Sequence, residues 1–197
     1  MQRPATLDPI ELLKSDRARA AAAQDPCANL CTVASVDANG HPHARTLVLR
    51  DVEGALAVFS NRTSPKWTQL QGAAPVAVVV WLPALNLQYR LRCTTRPVPA
   101  TLVHASWLLR PDVPKRLDWY YTRQRPQGSP IDDRATLVAG LANVALPEPL
   151  VAPDTAGGLY LEPFVIDRLD LAQPDGIHDR RHFEREDARW LETVLVP

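Results

Sequence analysis

The sequence predicts a mainly β chain with peripheral helices, built as an antiparallel barrel. Period-2 stretches at 30–59 and 87–94 lie between turn signals, with an almost continuous apolar run at 76–82 between them. Helical patterns are confined to 8–24, 65–71, 99–122 and 134–145, and strand patterns resume after 159. Strands, then helices, then strands fit a closed sheet with helices packed around it.

In order along the chain, 8–24 reads as a helix that Asp8 can cap, with Pro9 suited to its first position. Ile10, Leu13 and Ala20 share its apolar stripe, while Lys14, Asp16, Arg17 and Arg19 fall mostly off it. Leu30–Val36 is a strand, 37–40 with its Asn-Gly step is a hairpin turn, and 43–50 is the return strand. A second turn at 51–54 leads into a strand at 55–59. Ser64 caps a short helix over 65–71, with Pro65 at its first position. Val76–Leu82 is almost continuously apolar and reads as a central strand. In 87–94, Leu87, Tyr89, Leu91 and Cys93 face one way, and Gln88, Arg90, Arg92 and Thr94 the other. Residues 99–122 are helical with a break at 111–114, 123–131 is a polar loop, and Asp132 or Asp133 can cap a helix over 134–145. Beyond the proline-rich 147–153, strands fall near 159–165, 167–171, 178–185 and 189–195.

Length and composition set the class. At 197 residues with 46% apolar residues, one domain over 1–197 with a sizeable core is expected. The 22 basic and 22 acidic residues balance, which argues against non-specific coating of nucleic acid or anionic membrane. Cys27, Cys31 and Cys93 have neither disulfide-framework nor zinc-site spacing and read as small hydrophobes. No leader pattern and no membrane-length apolar run is visible, so a cytoplasmic protein is the expectation.

Four features carry chemistry. Ser64-Pro65-Lys66 stands at a helix start, where a bound anion would offset a lysine that otherwise opposes the helix dipole. Arg45 and Arg50 flank Thr46, Leu47, Val48 and Leu49 on one strand and lie on opposite faces; each can grip a phosphate. Gln88 can both donate and accept hydrogen bonds. Gly176-Ile177-His178-Asp179-Arg180 gathers an imidazole, a carboxylate and a guanidinium. Taken singly, each is also compatible with a solvated side chain. His178 and His182 lie four apart on a strand, which is not a standard metal site, so no metal is expected. His41 and His43 read as surface residues. The absence of a nucleophile elbow, a phosphate-binding glycine loop and a dinucleotide fingerprint argues against common hydrolases, P-loop enzymes and Rossmann dehydrogenases.

Taken in order over 28–197, these segments resemble the pyridoxamine 5′-phosphate oxidase family. The resemblance rests on Gly40, Pro42, Ala44 and Arg45; on Phe59-Ser60-Asn61; on Ser64 and Lys66; on Gln88; on His178-Asp179-Arg180; and on Trp190, Leu195 and Pro197. It implies a six-stranded antiparallel FMN-binding split β-barrel of Greek-key type, and a homodimer with FMN held between two chains. It places Arg45, Thr46, Leu47, Val48, Arg50, Phe59, Ser60, Ser64 and Lys66 around the cofactor, with Gln88 and Arg180 near its ring. It implies substrate contacts from Arg50, Arg110 and His178, with His178 and Arg180 as catalytic candidates, and a small-molecule substrate such as a B6 phosphate.

The departures fall on the substrate side. Arg50 stands where the family has a lysine, and Ser106, Arg110 and Pro114 where it has Tyr, Arg and Ser. Gly176 replaces an arginine, Ala172 lies near the position of a flavin-stacking Trp, and Gln124 is the nearest match to a Gln-Ser pair. An FMN-dependent oxidoreductase is therefore one expectation. A non-catalytic binder of FMN, a B6 phosphate or haem is the second, and a scaffold that has lost its cofactor is the third.

Overall fold

A computed structural model describes residues 3–5, 7–72 and 74–197; positions 1, 2, 6 and 73 of the expected 1–197 domain lie outside the described residues. The strands are β1 (Arg3–Pro4), β2 (Leu30–Val36), β3 (Pro42–Val52), β4 (Ala55–Asn61), β5 (Val76–Leu82), β6 (Leu87–Pro97), β7 (Ala156–Asp170), β8 (Asp179–Glu186) and β9 (Arg189–Leu195). The helices are α1 (Pro9–Ala22), α2 (Pro65–Leu70), α3 (Ala100–Leu108), α4 (Asp112–Arg123) and α5 (Arg134–Ala142).

All strand pairs are antiparallel, in the order β1-β9-β8-β7-β4-β3-β2-β5-β6, and β6 returns to pair with β7. Six strands, β7-β4-β3-β2-β5-β6, thus close a barrel. β7 is the long member. Its first part pairs with β4, its second part with β8, and nearly its whole length with β6. The two strands expected near 159–165 and 167–171 are therefore one. Pro163, which lacks an N–H, sits where the β6–β7 register shifts, between Arg92 and Cys93, so it bends the strand without ending it.

The barrel core follows the period-2 reading. Leu87, Tyr89, Leu91 and Cys93 are all buried, together with Val33, Leu49, Val78, Val80 and Ile166. Cys31 and Cys93 lie in this core, and burial pushes the Cys31 thiol up to about 12 and raises that of Cys93 as well. A second core sits outside the barrel, where Val103 and Trp107 of α3 pack on Ala57, Val98 and Tyr160. The expected break between the helices falls at 109–111. Pro114 lies inside the first turn of α4, where its missing N–H is not needed.

α1 departs from the sequence reading in one respect. Asp8 caps it as expected, accepting from the Ile10 N–H at 2.7 Å, and Leu13 and Ala20 enter the core. Asp16 and Arg17, expected off the buried stripe, are 1% and 5% exposed. They are inside because each is paired, which is the condition for burying charge. Asp16 accepts from Tyr89 Oη at 2.5 Å and from Arg168 Nε at 3.3 Å. Arg17 donates to the carbonyls of Ala28 and Leu49 and to Asp51. Among the described residues no helix is long and apolar enough to cross a membrane, and no group of three His, Cys, Asp or Glu side chains is placed to hold a metal.

Candidate functional site

The barrel brings Arg45 and Lys66 together from separate elements. Arg45 lies on β3, and its guanidinium donates to Ser35 Oγ at 2.7 Å, to Gln69 Oε1 at 2.5 Å and to the Val33 carbonyl at 3.3 Å. Lys66 opens α2, and its Nζ donates to Ser64 Oγ at 2.7 Å, Ser60 Oγ at 3.3 Å and Gln127 Oε1 at 3.4 Å. All these acceptors are neutral. Among the described residues, no carboxylate lies within ion-pair distance of either cation. Burial lowers the pKa of both groups, and the nearby charge of Arg45 lowers that of Lys66 further. Two part-buried cations with neutral oxygens around them have the chemistry that suits an anion.

The helix start plays a smaller part than the sequence implied. Ser64 occupies the cap position, but its hydroxyl makes no capping bond and takes the Lys66 ammonium instead. α2 has only six residues, so its dipole is small, and Pro65 contributes no N–H. The positive charge at this place thus comes from Arg45 and Lys66 more than from the helix end.

A cavity of about 260 Å³ is lined by Thr46, Leu47, Val48, Arg50, Phe59, Ser106 and Arg110; it shares strand β3 with Arg45 but is lined by neither Arg45 nor Lys66. The structure thus assembles expected residues from β3, β4 and the α3–α4 junction. The Arg50 guanidinium lies over the Phe59 ring, 6.0 Å from its centroid. Phe59 reaches this position because β4 pairs with β7 at two glycines, Ser60 opposite Gly157 and Phe59 opposite Gly158. A Cβ on Gly158 would stand 2.8 Å from the Phe59 ring, and one on Gly157 would stand 2.6 Å from the Trp67 ring. Arg110 is ion-paired to Asp118, whose Oδ2 also accepts from Trp107 Nε1 at 2.9 Å. Burial pushes the Asp118 carboxyl up, and Arg110, Trp107 and Asn61 pull it back toward the ionised form.

Gln88 and Arg180 form a separate group. Gln88 on β6 pairs with Leu169 on β7, which pairs with Arg180 on β8, so the three side chains share one face. Arg180 Nε is buried without a hydrogen-bond partner. His178, just before β8, is exposed. Two strands, β2 and β5, separate Gln88 on β6 from β3, and two others, β4 and β7, separate Arg180 on β8 from β3. His178, Gln88 and Arg180 are therefore not gathered with Arg45, Arg50 and Lys66 within one chain. His182 Nδ1 lies 2.8 Å from Asp167 Oδ1, within hydrogen-bond distance across the β7–β8 pair.

Comparison with known proteins identifies the family. The family model for pyridoxamine 5′-phosphate oxidase matches residues 18–146. A pyridoxine/pyridoxamine 5′-phosphate oxidase from Pseudomonas paraeruginosa is 32% identical over 175 residues, covering 86% of this chain and 78% of the relative. This chain belongs to the pyridoxamine 5′-phosphate oxidase family. The oxidase from Chromohalobacter salexigens is 29% identical over 98% of this chain and 90% of its own. Two solved structures share the fold. PhzG from Burkholderia lata, determined with tetrahydrophenazine-1-carboxylic acid, has TM-score 0.84 and 22% identity over 96% of this chain and 93% of its own. A pyridoxamine 5′-phosphate oxidase-related, FMN-binding protein from Nostoc punctiforme has TM-score 0.79 and 20% identity over 98% and 99%.

Within this oxidase-family frame, several site neighbours were invisible in sequence. Ser35 and Gln69 hold Arg45, and Gln127, not Gln124, reaches Lys66. Gln127 is anchored by its N–H to Thr63 Oγ1 at 3.0 Å, and Gly128 packs on Pro65, so the 124–131 loop lies against the start of α2. The Gln-Gly-Ser run at 127–129 was the available signal. Gly176, where the family resemblance places an arginine, has φ +74° and closes a turn onto the Gln173 carbonyl. An arginine there would be strained, so the glycine is a feature of this turn.

Proposed function

We propose that this protein is an FMN-dependent oxidoreductase whose cofactor site is completed by a second copy of the chain. One observation carries the reading: Arg45 and Lys66 are held side by side with neutral acceptors and, among the described residues, no carboxylate at ion-pair distance. A phosphate ester fits this pair, and the adjacent Thr46, Leu47, Val48 and Phe59 offer a wall for the rest of such a ligand. The orphaned Nε of Arg180 is a second buried donor awaiting an acceptor.

When bound, FMN supplies hydride acceptance and return. The chain's own residues divide the remaining work. Arg45 and Lys66 bind the phosphate, aided by the hydroxyls of Ser60 and Ser64. Gln88 donates and accepts at the ring edge, and Arg180 places positive charge near the ring. Arg50 binds an anionic substrate group, Arg110 borders the same cavity, and His178 takes or gives a substrate proton at its imidazole.

The homodimer is supported by the division of the site residues into two groups on one chain. It is also supported by the outward apolar face near them, where Val48 is 49% exposed and Trp81 37%. Light scattering of the purified protein tests it, and a monomer that holds FMN would overturn it.

The absorption spectrum after FMN addition and gel filtration tests the cofactor. Retained flavin bands support the proposal, and a colourless protein refutes it. The second reading, a non-catalytic binder of FMN, a B6 phosphate or haem, is favoured by the glycine at 176. Reduction of the bound flavin by a substrate, followed by reoxidation, separates the two.

A further inference from the structure

The cavity lined by Arg50, Phe59, Ser106 and Arg110 holds two guanidinium groups of unequal electrostatic standing. Arg110 keeps 33% of its side chain exposed, but its charge is answered by Asp118, which is 5% exposed. That carboxylate is fixed from three sides. It takes the Arg110 guanidinium, the Trp107 indole at 2.9 Å and, on its other oxygen, the Asn61 amide at 3.4 Å. It cannot swing away to release Arg110 without leaving those donors unpaired. Arg50 stands differently. Among the described residues it has no carboxylate within ion-pair distance, and its contact is the Phe59 ring. No lysine or histidine lines this cavity. Its net charge from side chains of this chain is therefore that of Arg50 alone.

We propose that Asp118 sets the charge of the substrate: by neutralising Arg110 it leaves Arg50 as the single uncompensated cation, and so selects a monoanionic, carboxylate-bearing ring over a phosphate monoester. This rests on the flavoprotein reading above and names its substrate class. A phosphate monoester carries about −1.5 to −2 charge at neutral pH. Beside one net cation it would bring uncompensated charge into a part-buried cavity. A carboxylate brings one charge and two coplanar oxygens, which match the guanidinium fork. The Phe59 ring that lies under Arg50 also lines the cavity and holds the guanidinium at its edge. Asp118 acts through Arg110 and is a positioning residue.

Calorimetric titration of the full-length FMN-loaded protein with benzoate and with phenyl phosphate tests this. Wild type should bind benzoate at least about tenfold more tightly than phenyl phosphate. Asp118→Asn, which is nearly isosteric, should shift that ratio toward phenyl phosphate by about tenfold or more. Arg50→Met should weaken benzoate by about tenfold or more, and Arg110→Met by less than about threefold. Equal or tighter binding of phenyl phosphate to wild type overturns the proposal. So does an unchanged ratio in Asp118→Asn, or an Arg110→Met loss as large as that of Arg50→Met. A merely structural Asp118 would lower the melting temperature of its asparagine variant and leave the ratio alone. If that variant does not fold, the two arginine variants decide. Loss of flavin bands would refute the flavoprotein reading separately, because the probe ratio is read by heat and not by colour.

Discussion

Replacing Lys66 with methionine separates a ligand-binding lysine from a structural one. In the absence of ligand its ammonium touches only Ser64, Ser60 and Gln127 oxygens, at 2.7, 3.3 and 3.4 Å, and the charge of Arg45 opposes it. Methionine keeps the length of the side chain and removes both the like-charge repulsion and the desolvation of an ammonium. The three hydrogen bonds lost are to neutral groups, Ser60 and Gln127 partly exposed and Ser64 buried with a hydroxyl free to turn to another acceptor, so the two effects offset to within about 1 kcal/mol. The unliganded variant should melt at or slightly above the wild-type temperature. Binding is a different matter. A charge-assisted hydrogen bond to phosphate contributes about 1.5–3 kcal/mol, so the FMN dissociation constant should rise about 10- to 150-fold. Quenching of flavin fluorescence gives that constant directly. Melts with and without FMN give an independent reading, since ligand stabilisation grows with the logarithm of concentration over Kd. The reasoning fails if Lys66→Met melts well below wild type without FMN while its affinity is unchanged.

Three further outcomes are expected. Asp16→Ala strips the shared acceptor from Tyr89 and Arg168 and should cost about 3–5 kcal/mol in urea unfolding, with Asp16→Asn milder; a loss under about 1 kcal/mol would show that the network is not holding α1. Gly158→Ala drives a Cβ to 2.8 Å from the Phe59 ring and 3.2 Å from Val98, and should cost about 1–3 kcal/mol by thermal melting; an unchanged melt would mean the β4–β7 seam yields freely. Hydrogen bonds from the His43 ring and the His41 and Asn39 N–H groups hold Asp37 at about 2, so its contribution is present above the ordinary carboxylate range and is lost as pH falls through about 2. An NMR titration of the Asp37 carboxyl with its midpoint near 4 would contradict that turn geometry.

The strands of the barrel were legible because one face of each is buried, and burial writes itself as alternation. Leu87, Tyr89, Leu91 and Cys93 show it directly. Charged residues on α1 were misread for the converse reason. Nothing local marks Asp16 or Arg17 as buried, because their partners, Tyr89, Arg168, Asp51 and the Leu49 carbonyl, are distant in sequence. β7 was divided because a proline inside a strand usually ends it, and the register shift that admits Pro163 is a property of the β6 pairing. The site shows the same division. Arg45, Lys66 and the residues around Arg50 came from motif order. Gln69, Gln127, Asp118 and the two glycines opposite Phe59 are set by tertiary approach, which leaves no periodic trace.

The β6–β7 seam has a bearing on how this chain can change. It joins strands whose facing ends, Pro97 and Ala156, are separated by the whole helical segment 98–155. Closing a long loop costs only logarithmically more as it lengthens, about 0.6 kcal/mol for each doubling. Insertions in the exposed stretch between α4 and α5 are thus cheap for the barrel, whose hydrogen bonds are made elsewhere. That same segment carries Ser106, Arg110 and Asp118. On the proposed reading, three residues around the substrate cavity thus ride on the piece of chain most free to vary, while Arg45 and Arg50 sit together on β3, a piece far less free to do so.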